Sequence, residues 1–316
     1  MGKVMAWYYA VCIVVGSLGV GCMFQANQAY VQFVSVTGGA EGFFGSRGWL
    51  FGSILAFLTG LVIIGGIKSI AKVTSKLVPF MALLYVGTAL VVIGANFSEI
   101  PSAISAIVTN AFSPEGVTGG IIAVLILGFR RAAFSNEAGI GSSAIAHATV
   151  KTDEPLTQGF VAMLEPFIDT VVVCTITALV IILTVYDPAM LNEGTIRGVE
   201  LTSSAFASVI PWFPSVLALV VMLFAYSTMI SWSYYGLEGF VYMFGSKSGT
   251  KRIYNMVFCL FVVVGCTVQL DAVLDFSDAM IFAMALANML ALYLLGPTVK
   301  RELDDYWAKL KTRSSS

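Results

Sequence analysis

Eight long apolar stretches, separated by short polar segments, follow one another along this 316-residue chain. A helix needs roughly 20 mostly apolar residues to cross the hydrocarbon core of a bilayer, so each stretch is interpreted as one span. The spans run over residues 4–33, 48–67, 77–95, 117–149, 158–186, 212–244, 253–270 and 277–296. Because a backbone in lipid must satisfy its own hydrogen bonds, this pattern predicts an all-α polytopic membrane protein.

The composition excludes several other classes of protein. Hydrophobic residues make up 58% of the chain and charged residues 11%, against about 45–50% apolar and about 25% charged residues in soluble domains. A water-soluble globular protein, a disordered chain and a nucleic-acid-binding protein are therefore excluded. The five cysteines form no CxxC pair, and His147 is the single histidine. The chain thus lacks the usual ligand set of a zinc site and the pattern of a disulfide scaffold.

Charged residues alternate in sign from one interspan segment to the next. Two of these segments are basic, and they carry Lys68, Lys72, Lys76, Lys247, Lys251 and Arg252. The loop at 187–211 is mostly acidic, and three further acids, Asp271, Asp275 and Asp278, follow the span 253–270. By the positive-inside rule the basic segments and both ends of the chain are cytoplasmic. Residues 1–299 then form one transmembrane domain, and residues 300–316 form a short cytoplasmic tail with a frayed helix.

The fourth span contains the most informative segment, GFRRAAFSNEAGIGSSAIAHA. Arg130, Arg131 and Glu137 interrupt an apolar sequence there, and charges at membrane depth are tolerated where they face a polar cavity or each other. Gly139 and Gly141 follow at once, and glycine is the residue at which a helix most readily unwinds. Helices broken in the membrane mark substrate and ion sites in secondary transporters. The alternative is a kinked helix with an internal Arg–Glu pair and no ligand.

The sixth span places hydroxyl groups deep in an apolar run. Ser227, Thr228, Ser231 and Ser233 recur at helical spacing, and Trp232 follows Thr228 on the same face. Hydroxyl oxygens suit a hard monovalent cation, and an indole ring suits the wall of a small-solute pocket. Helix–helix packing through small polar residues explains the same pattern equally well.

Two further sets of polar side chains, on the first and fifth spans, each allow more than one interpretation. Gln25, Gln28 and Gln32 share one face of the first span, where amides could hold the charged groups of an amino acid, or could mark a water-exposed helix end. Glu165 and Asp169 are one helical turn apart in the fifth span. We expect these acids to pair with Arg130 or Arg131, with proton relay as the alternative.

Four blocks of this sequence resemble the alanine/glycine:cation symporters, also called sodium:alanine symporters. The longest runs from Gly128 to Leu179, and the others are GCMFQANQ, STMISWSYYG and DAMIFAMALANMLAL. The resemblance covers essentially the whole chain. It implies a carrier of the bacterial inner membrane with the LeuT-type inverted-repeat fold, which takes up alanine or glycine together with sodium.

The resemblance aligns this chain with helices 3–10 of that fold. Family members begin with two more helices, the first of them broken around a GN-containing motif, and no segment here matches that pair. The span 117–149 corresponds to the sixth helix and the span 212–244 to the eighth. The family's first and sixth helices are the two broken ones, so the expectation is an N-terminally incomplete transporter domain.

The resemblance also implies a set of site residues. Gln25 would contact the substrate, Phe134 and Ile140 would cover its side chain, and Trp232 would close the pocket. Backbone from Ser135 through Asn136 to Gly139 would meet the substrate. Ser227 and Thr228 would offer hydroxyls to sodium, and Thr228 would also border the substrate.

The predicted function is sodium-coupled symport of a small neutral amino acid, alanine or glycine, across the plasma membrane by alternating access. Sodium is the one expected cofactor, and no organic cofactor is expected. One alternative is a truncated, non-transporting membrane protein that needs the missing helices or a partner. A second alternative is an intramembrane enzyme that uses Glu137, Glu165 or Asp169 as acid or base, although no HExxH, paired-aspartate or Ser-Lys signature accompanies these residues.

Overall fold

The computed structural model describes residues 2–111, 121–185 and 198–314. Within these ranges all regular secondary structure is helical, as the apolar pattern predicts. The helices are α1 (Gly2–Val36), α2 (Gly48–Ile63), α3 (Gly66–Ala95), α4 (Ile100–Ala111), α5 (Ile121–Asn136), α6 (Ser142–His147), α7 (Pro155–Thr184), α8 (Val199–Ala207), α9 (Phe213–Phe244), α10 (Ser248–Gly265) and α11 (Leu270–Ser314).

Five of these helices are long and apolar enough to cross a membrane: α1, α3, α7, α9 and α11. Helix α2 is apolar but shorter, with 16 residues. Large apolar side chains are exposed along the outer helices, including Leu83 on α3, Val161 on α7 and Leu286 on α11. Exposed apolar surface on this scale is expected where lipid is the solvent. The chain is a multi-pass membrane protein.

Several predicted boundaries were wrong. Lys68, Lys72 and Lys76 lie in the first turns of α3, which begins at Gly66, and do not form a loop. Their spacing of four residues places all three on one helical face, where long aliphatic stems can reach the interface without ending the helix. The acidic residues from Asp271 to Asp278 likewise belong to the first turns of α11. The predicted tail continues the same helix to Ser314.

The span predicted at 117–149 is two helices, α5 and α6, separated by residues 137–141. Its first four residues, the last residue of the span 158–186 and residues 187–197 of the acidic loop at 187–211 lie outside the described residues. The break itself falls where the glycines predict it.

Helix α9 is the centre of the packing, and α1 lies against it through glycines. A Cβ atom built on Gly236 would lie 2.1 Å from Ser17 Oγ, and one on Gly239 would lie 2.5 Å from Ile13 Cγ2. Small residues are the usual means by which helices approach closely in membranes, where no hydrophobic driving force acts between them. Ser17 also shares a buried hydrogen bond of 2.8 Å with Tyr254 of α10, which ties a third helix to this contact.

Three apolar clusters surround α9. The first joins α1, α2, α9 and α10, and the second joins α3, α7, α8 and α9. The third packs the break against α1, α9 and α11 through Ile140, Trp232 and Met284. Because α9 contributes to all three clusters, its side chains are held in fixed positions relative to the break.

Two helices widen into π-helical turns beside this centre. Gly19–Met23 forms such a turn in α1, immediately before Gln25, and Phe167–Cys174 forms another in α7. A π-helical turn inserts an extra residue into the helix and so redirects the side chains that follow, and these turns are frequent at functional sites.

Candidate functional site

The break between α5 and α6 is built from left-handed backbone. Glu137, Gly139 and Gly141 have φ values of 58°, 82° and 86°. Glycine adopts this conformation without steric cost, whereas Glu137 has a Cβ atom and must be held there by its surroundings. The helix therefore ends at Asn136 and restarts at Ser142.

Side chains of two neighbouring helices donate hydrogen bonds to backbone carbonyl groups of the break, which lack their helical partners. Tyr9 of α1 donates its hydroxyl to the carbonyl of Ile140 at 3.0 Å, and Asn288 of α11 donates its amide to the carbonyl of Gly139 at 2.9 Å. A freed carbonyl in the membrane needs such a partner or a polar cavity. Gly139 and Ile140, both predicted substrate contacts, thus face α1 and α11.

The π-helical turn of α7 holds the end of α5. Ser135 donates its hydroxyl to Asp169 at 2.6 Å, and Asn136 donates its amide to the Thr170 hydroxyl at 2.8 Å. The Asn136 side-chain oxygen accepts the backbone N–H of Ala138 at 2.9 Å. Asn136 is therefore a structural bridge between the end of α5, the break and α7.

The arginines of α5 have a different partner from the one expected. Arg131 donates from its Nη2 atom to both carboxylate oxygens of Asp278 of α11, and Arg130 lies 3.4 Å from the same carboxylate. The predicted pairing with Glu165 and Asp169 was wrong. Glu165 lies 3.4 Å from His147 Nε2, and Asp169 accepts from Ser135. Asp278 is 5% exposed, and two guanidinium groups compensate its charge.

A cavity of about 430 Å³ lies between α1, α5, the break and α9. Five of its lining residues were predicted from the sequence, and four were not. The predicted ones are Gln25, Phe134, Ser135, Thr228 and Trp232, and the others are Val20, Phe24, Arg131 and Glu137. A volume of roughly 300–1,000 Å³ is typical of small-molecule sites.

Aromatic rings form the apolar part of this cavity. Phe24 and Phe134 meet edge to face, with ring centroids 4.8 Å apart. Trp232 is 1% exposed, and its Cβ would lie 2.1 Å from a Cβ atom built on Gly21. Only glycine at position 21 lets the indole ring approach α1 this closely.

Two opposite charges line the same cavity. Glu137 accepts hydrogen bonds from the Trp232 indole at 2.9 Å and from the Ser142 hydroxyl, and it forms no ion pair with any described residue. Arg131 is the second charge, and its buried Nε atom has no hydrogen-bond partner among the residues that the structure describes. The cavity therefore presents a carboxylate and a guanidinium group together with aromatic walls.

The two predicted sodium ligands have different surroundings. Thr228 lines the cavity, and no hydrogen bond of its hydroxyl is found among the described residues. Ser227 is buried, and its hydroxyl donates to the carbonyl of Phe224 at 2.9 Å and faces Met81 of α3. The structure brings Thr228 into the cavity and leaves Ser227, Asn136, Gly139 and Ile140 outside its lining.

Sequence reasoning did not assign the side chains of Arg131, Glu137, Asn288 or Phe24 to the substrate site, although it placed the backbone of residue 137 there. A signal was present for the first three, because each is a polar or charged side chain inside an apolar run. Phe24 carried no such signal, since an aromatic residue in a membrane helix is unremarkable in the sequence.

Comparison with known proteins identifies the family. The model of the family described as "Sodium:alanine symporter family" matches residues 1–316. The chain belongs to the sodium:alanine symporter family. It is 37% identical to the sodium/alanine symporter AgcS of Methanococcus maripaludis over 96% of this chain and 65% of that protein. It is 33% identical to the probable sodium/glutamine symporter GlnT of Bacillus subtilis, over 96% of this chain and 62% of the relative.

A third relative in this family is the amino-acid carrier protein AlsT of Bacillus subtilis, which is 33% identical over 95% of the chain and 63% of its own length. The chain thus spans slightly less than two thirds of the length of these relatives. Their names describe symporters and carriers. The three relatives are transporters by name, and none of them is named as an enzyme.

Proposed function

We propose that this chain carries the substrate cavity of a sodium-coupled symporter for a small neutral amino acid, alanine or glycine. The observation that carries the proposal is the cavity in which Glu137 and Arg131 face the same space. A zwitterionic amino acid has one ammonium and one carboxylate group, and a site with both complementary charges would recognise it without a net charge. Family membership supports the same class of cargo.

Each end of the amino acid has a candidate partner. Glu137 would accept the ammonium group, since its carboxylate already has two donors but no cation. Arg131 Nε and the Gln25 amide would donate to the carboxylate group. The Gln25 amide makes one long bond of 3.5 Å, to the carbonyl of Val20, so a ligand could readily replace it.

The size of the cargo follows from the aromatic walls. Phe24, Phe134 and Trp232 line the cavity, and we expect these rings to surround the substrate side chain and to favour alanine or glycine over longer side chains. The Bacillus relative named as a probable sodium/glutamine symporter makes glutamine the informative competitor.

Sodium would bind beside Thr228, whose hydroxyl is free to coordinate. A hard cation takes several oxygen ligands, by analogy with calcium sites, so carbonyl groups or substrate oxygens would complete the shell. Sodium and substrate would each raise the affinity for the other by the same factor. The rocking of helices about this site is the alternating-access step, and a LeuT-type arrangement of helices 3–10 is part of this proposal.

The decisive experiment is uptake of labelled alanine by proteoliposomes that contain the purified chain, under an inward sodium gradient or an equal potassium gradient. We expect sodium-dependent uptake that unlabelled glycine blocks and glutamine does not. Equilibrium binding of labelled alanine, with and without sodium, measures the site even where transport needs further helices. An absence of both uptake and binding would contradict the proposal.

The proposed location is the bacterial inner membrane, with both ends of the chain in the cytoplasm. Residues from the end of α2 and the start of α10 line one common cavity, so the two basic segments lie at the same end of the bundle. In a cysteine-free background, Glu193→Cys should react with an impermeant thiol reagent from outside, and Lys72→Cys should not. The reverse labelling pattern would contradict this orientation.

A further inference from the structure

A second cavity, of about 720 Å³, lies at the basic end of the bundle. It is formed between the end of α2 and the first turns of α10, and it has no lining residue in common with the amino-acid cavity. No step of the proposed transport cycle uses it.

The cavity has two chemically different parts. Its polar rim contains Lys251 and Arg252, both exposed, with Ser246, Ser248 and Asn255 beside them. No ion pair of Lys251 or Arg252 is found among the described residues. The rim is therefore an uncompensated patch of two positive charges.

The rest of the lining is apolar and open to the surroundings of the bundle. Ile64 is 78% exposed and Met256 is 59% exposed, and Ile63 and Cys259 are the other apolar side chains of the lining. Water is a poor environment for such side chains, whereas an acyl chain is a good one. Basic charge at the rim and apolar wall below it match an amphipathic anion.

We propose that this cavity binds the phosphate headgroup of an anionic phospholipid, with the upper part of an acyl chain against Ile64 and Met256. Basic pockets between membrane helices on the cytoplasmic side are suited to anionic headgroups. A free phosphate ion would use the rim alone and leave the apolar wall uncovered. The lipid is therefore the occupant that both parts of the cavity fit.

The test is native mass spectrometry of the purified chain in mild detergent, with added phosphatidylglycerol or phosphatidylcholine of the same acyl chains. We expect the phosphatidylglycerol complex to be favoured by roughly thirtyfold, the gain from two basic groups near an anionic headgroup. The double variant Lys251→Ala/Arg252→Ala should bind both lipids equally. The matched control Lys68→Ala/Lys72→Ala removes two exposed lysines of α3 outside the cavity, and it should keep the wild-type preference.

Two further measurements keep the proposal falsifiable if the double variant is unstable. Ile64→Glu adds a negative charge at an exposed position of the apolar wall. It should abolish the preference for phosphatidylglycerol, while the size-exclusion elution profile of the protein stays unchanged. Addition of inorganic phosphate at millimolar concentration should leave the lipid bound. Equal binding of the two lipids by the wild-type chain, or their displacement by phosphate alone, would overturn the proposal.

Discussion

Trp232 donates its indole N–H to the carboxylate of Glu137 at 2.9 Å. This hydrogen bond joins the middle of α9 to the first residue of the break, and both side chains line the amino-acid cavity. Trp232 limits the size of the cavity, and Glu137 supplies its negative charge. The following predictions separate these two roles.

Glu137→Gln should lower alanine binding by roughly tenfold to a hundredfold, because a hydrogen bond to a charged group contributes about 1.5–3 kcal/mol. Glutamine keeps the side-chain shape and can still accept from Trp232, so expression should not change. Equilibrium binding of labelled alanine measures the effect. Glu165→Gln is the control, since Glu165 is half exposed and lies outside the cavity. Equal affinities of wild type and Glu137→Gln would remove Glu137 from substrate binding.

Trp232→Ala should admit larger amino acids and weaken alanine uptake, since one lost apolar contact changes selectivity by about 1–3 kcal/mol. Competition of leucine and glutamine against labelled alanine reports the change. Trp232→Phe retains an aromatic wall but loses the N–H donor, so it should preserve selectivity while reducing affinity. An unchanged substrate profile in a well-expressed Trp232→Ala variant would assign this residue to packing.

Gly21→Ala should destabilise the protein, because its new Cβ atom would lie 2.1 Å from Trp232 Cβ. Overpacking of a well-packed interior costs about 1–3 kcal/mol, occasionally more, and neither atom here is the end of a flexible side chain. Thermal unfolding in detergent should show a lower midpoint. Gly87→Ala is the matched control on α3, where a Cβ meets nothing within 4 Å. Equal midpoints for the two variants would mean that α1 and α9 are not packed this tightly.

Asp278→Asn should also destabilise the protein, since it leaves Arg130 and Arg131 without their counter-ion. Removal of one partner of a buried ion pair costs roughly 3–5 kcal/mol, and less is expected here because both guanidinium groups are partly exposed. The measurement is again the thermal midpoint. Asp169→Asn, which removes the partner first expected for these arginines, should cost less. The opposite ranking would contradict the observed pairing.

Thr228→Ala should raise the sodium concentration needed for half-maximal alanine binding by roughly tenfold, because it removes a hydroxyl that bonds to no other described residue. Ser227→Ala is the internal control, since the Ser227 hydroxyl is already bonded to the carbonyl of Phe224. A titration of alanine binding against sodium distinguishes the two. A larger effect of Ser227→Ala would place the ion on the α3 side of α9.

The membrane-length helices and the break were predictable because both depend on local sequence, whereas α4 and α8 lie between the predicted spans. An apolar stretch of sufficient length must be helical in lipid, and Gly139 and Gly141 mark the break beside charged residues. The starts of α3 and α11 were not predictable, since hydropathy alone placed Lys68, Asp271 and Asp275 between spans while the backbone there is helical.

Contacts between distant segments account for the rest. Arg131 and Asp278 are 147 positions apart, and Asp169 was an equally reasonable partner until the helices were packed. The sequence also could not distinguish Ser227 from Thr228, because these two hydroxyl residues are neighbours in the chain. They point to different sides of α9, and only the packing of α3 and α5 against that helix shows which hydroxyl reaches the cavity.

Helix α11 has a mechanical consequence for any movement of the bundle. Asp278 holds Arg131, Asn288 holds the break, and Lys309 reaches Glu154 at 2.9 Å before α7. At 1.5 Å per residue, Asp278 and Lys309 are about 46 Å apart along the axis. A tilt of about 10° around Asp278 would then sweep the far end through roughly 8 Å. If α11 tilts as one rigid helix, it acts as a lever arm, which converts a small displacement at the ion pair into a large one at Lys309.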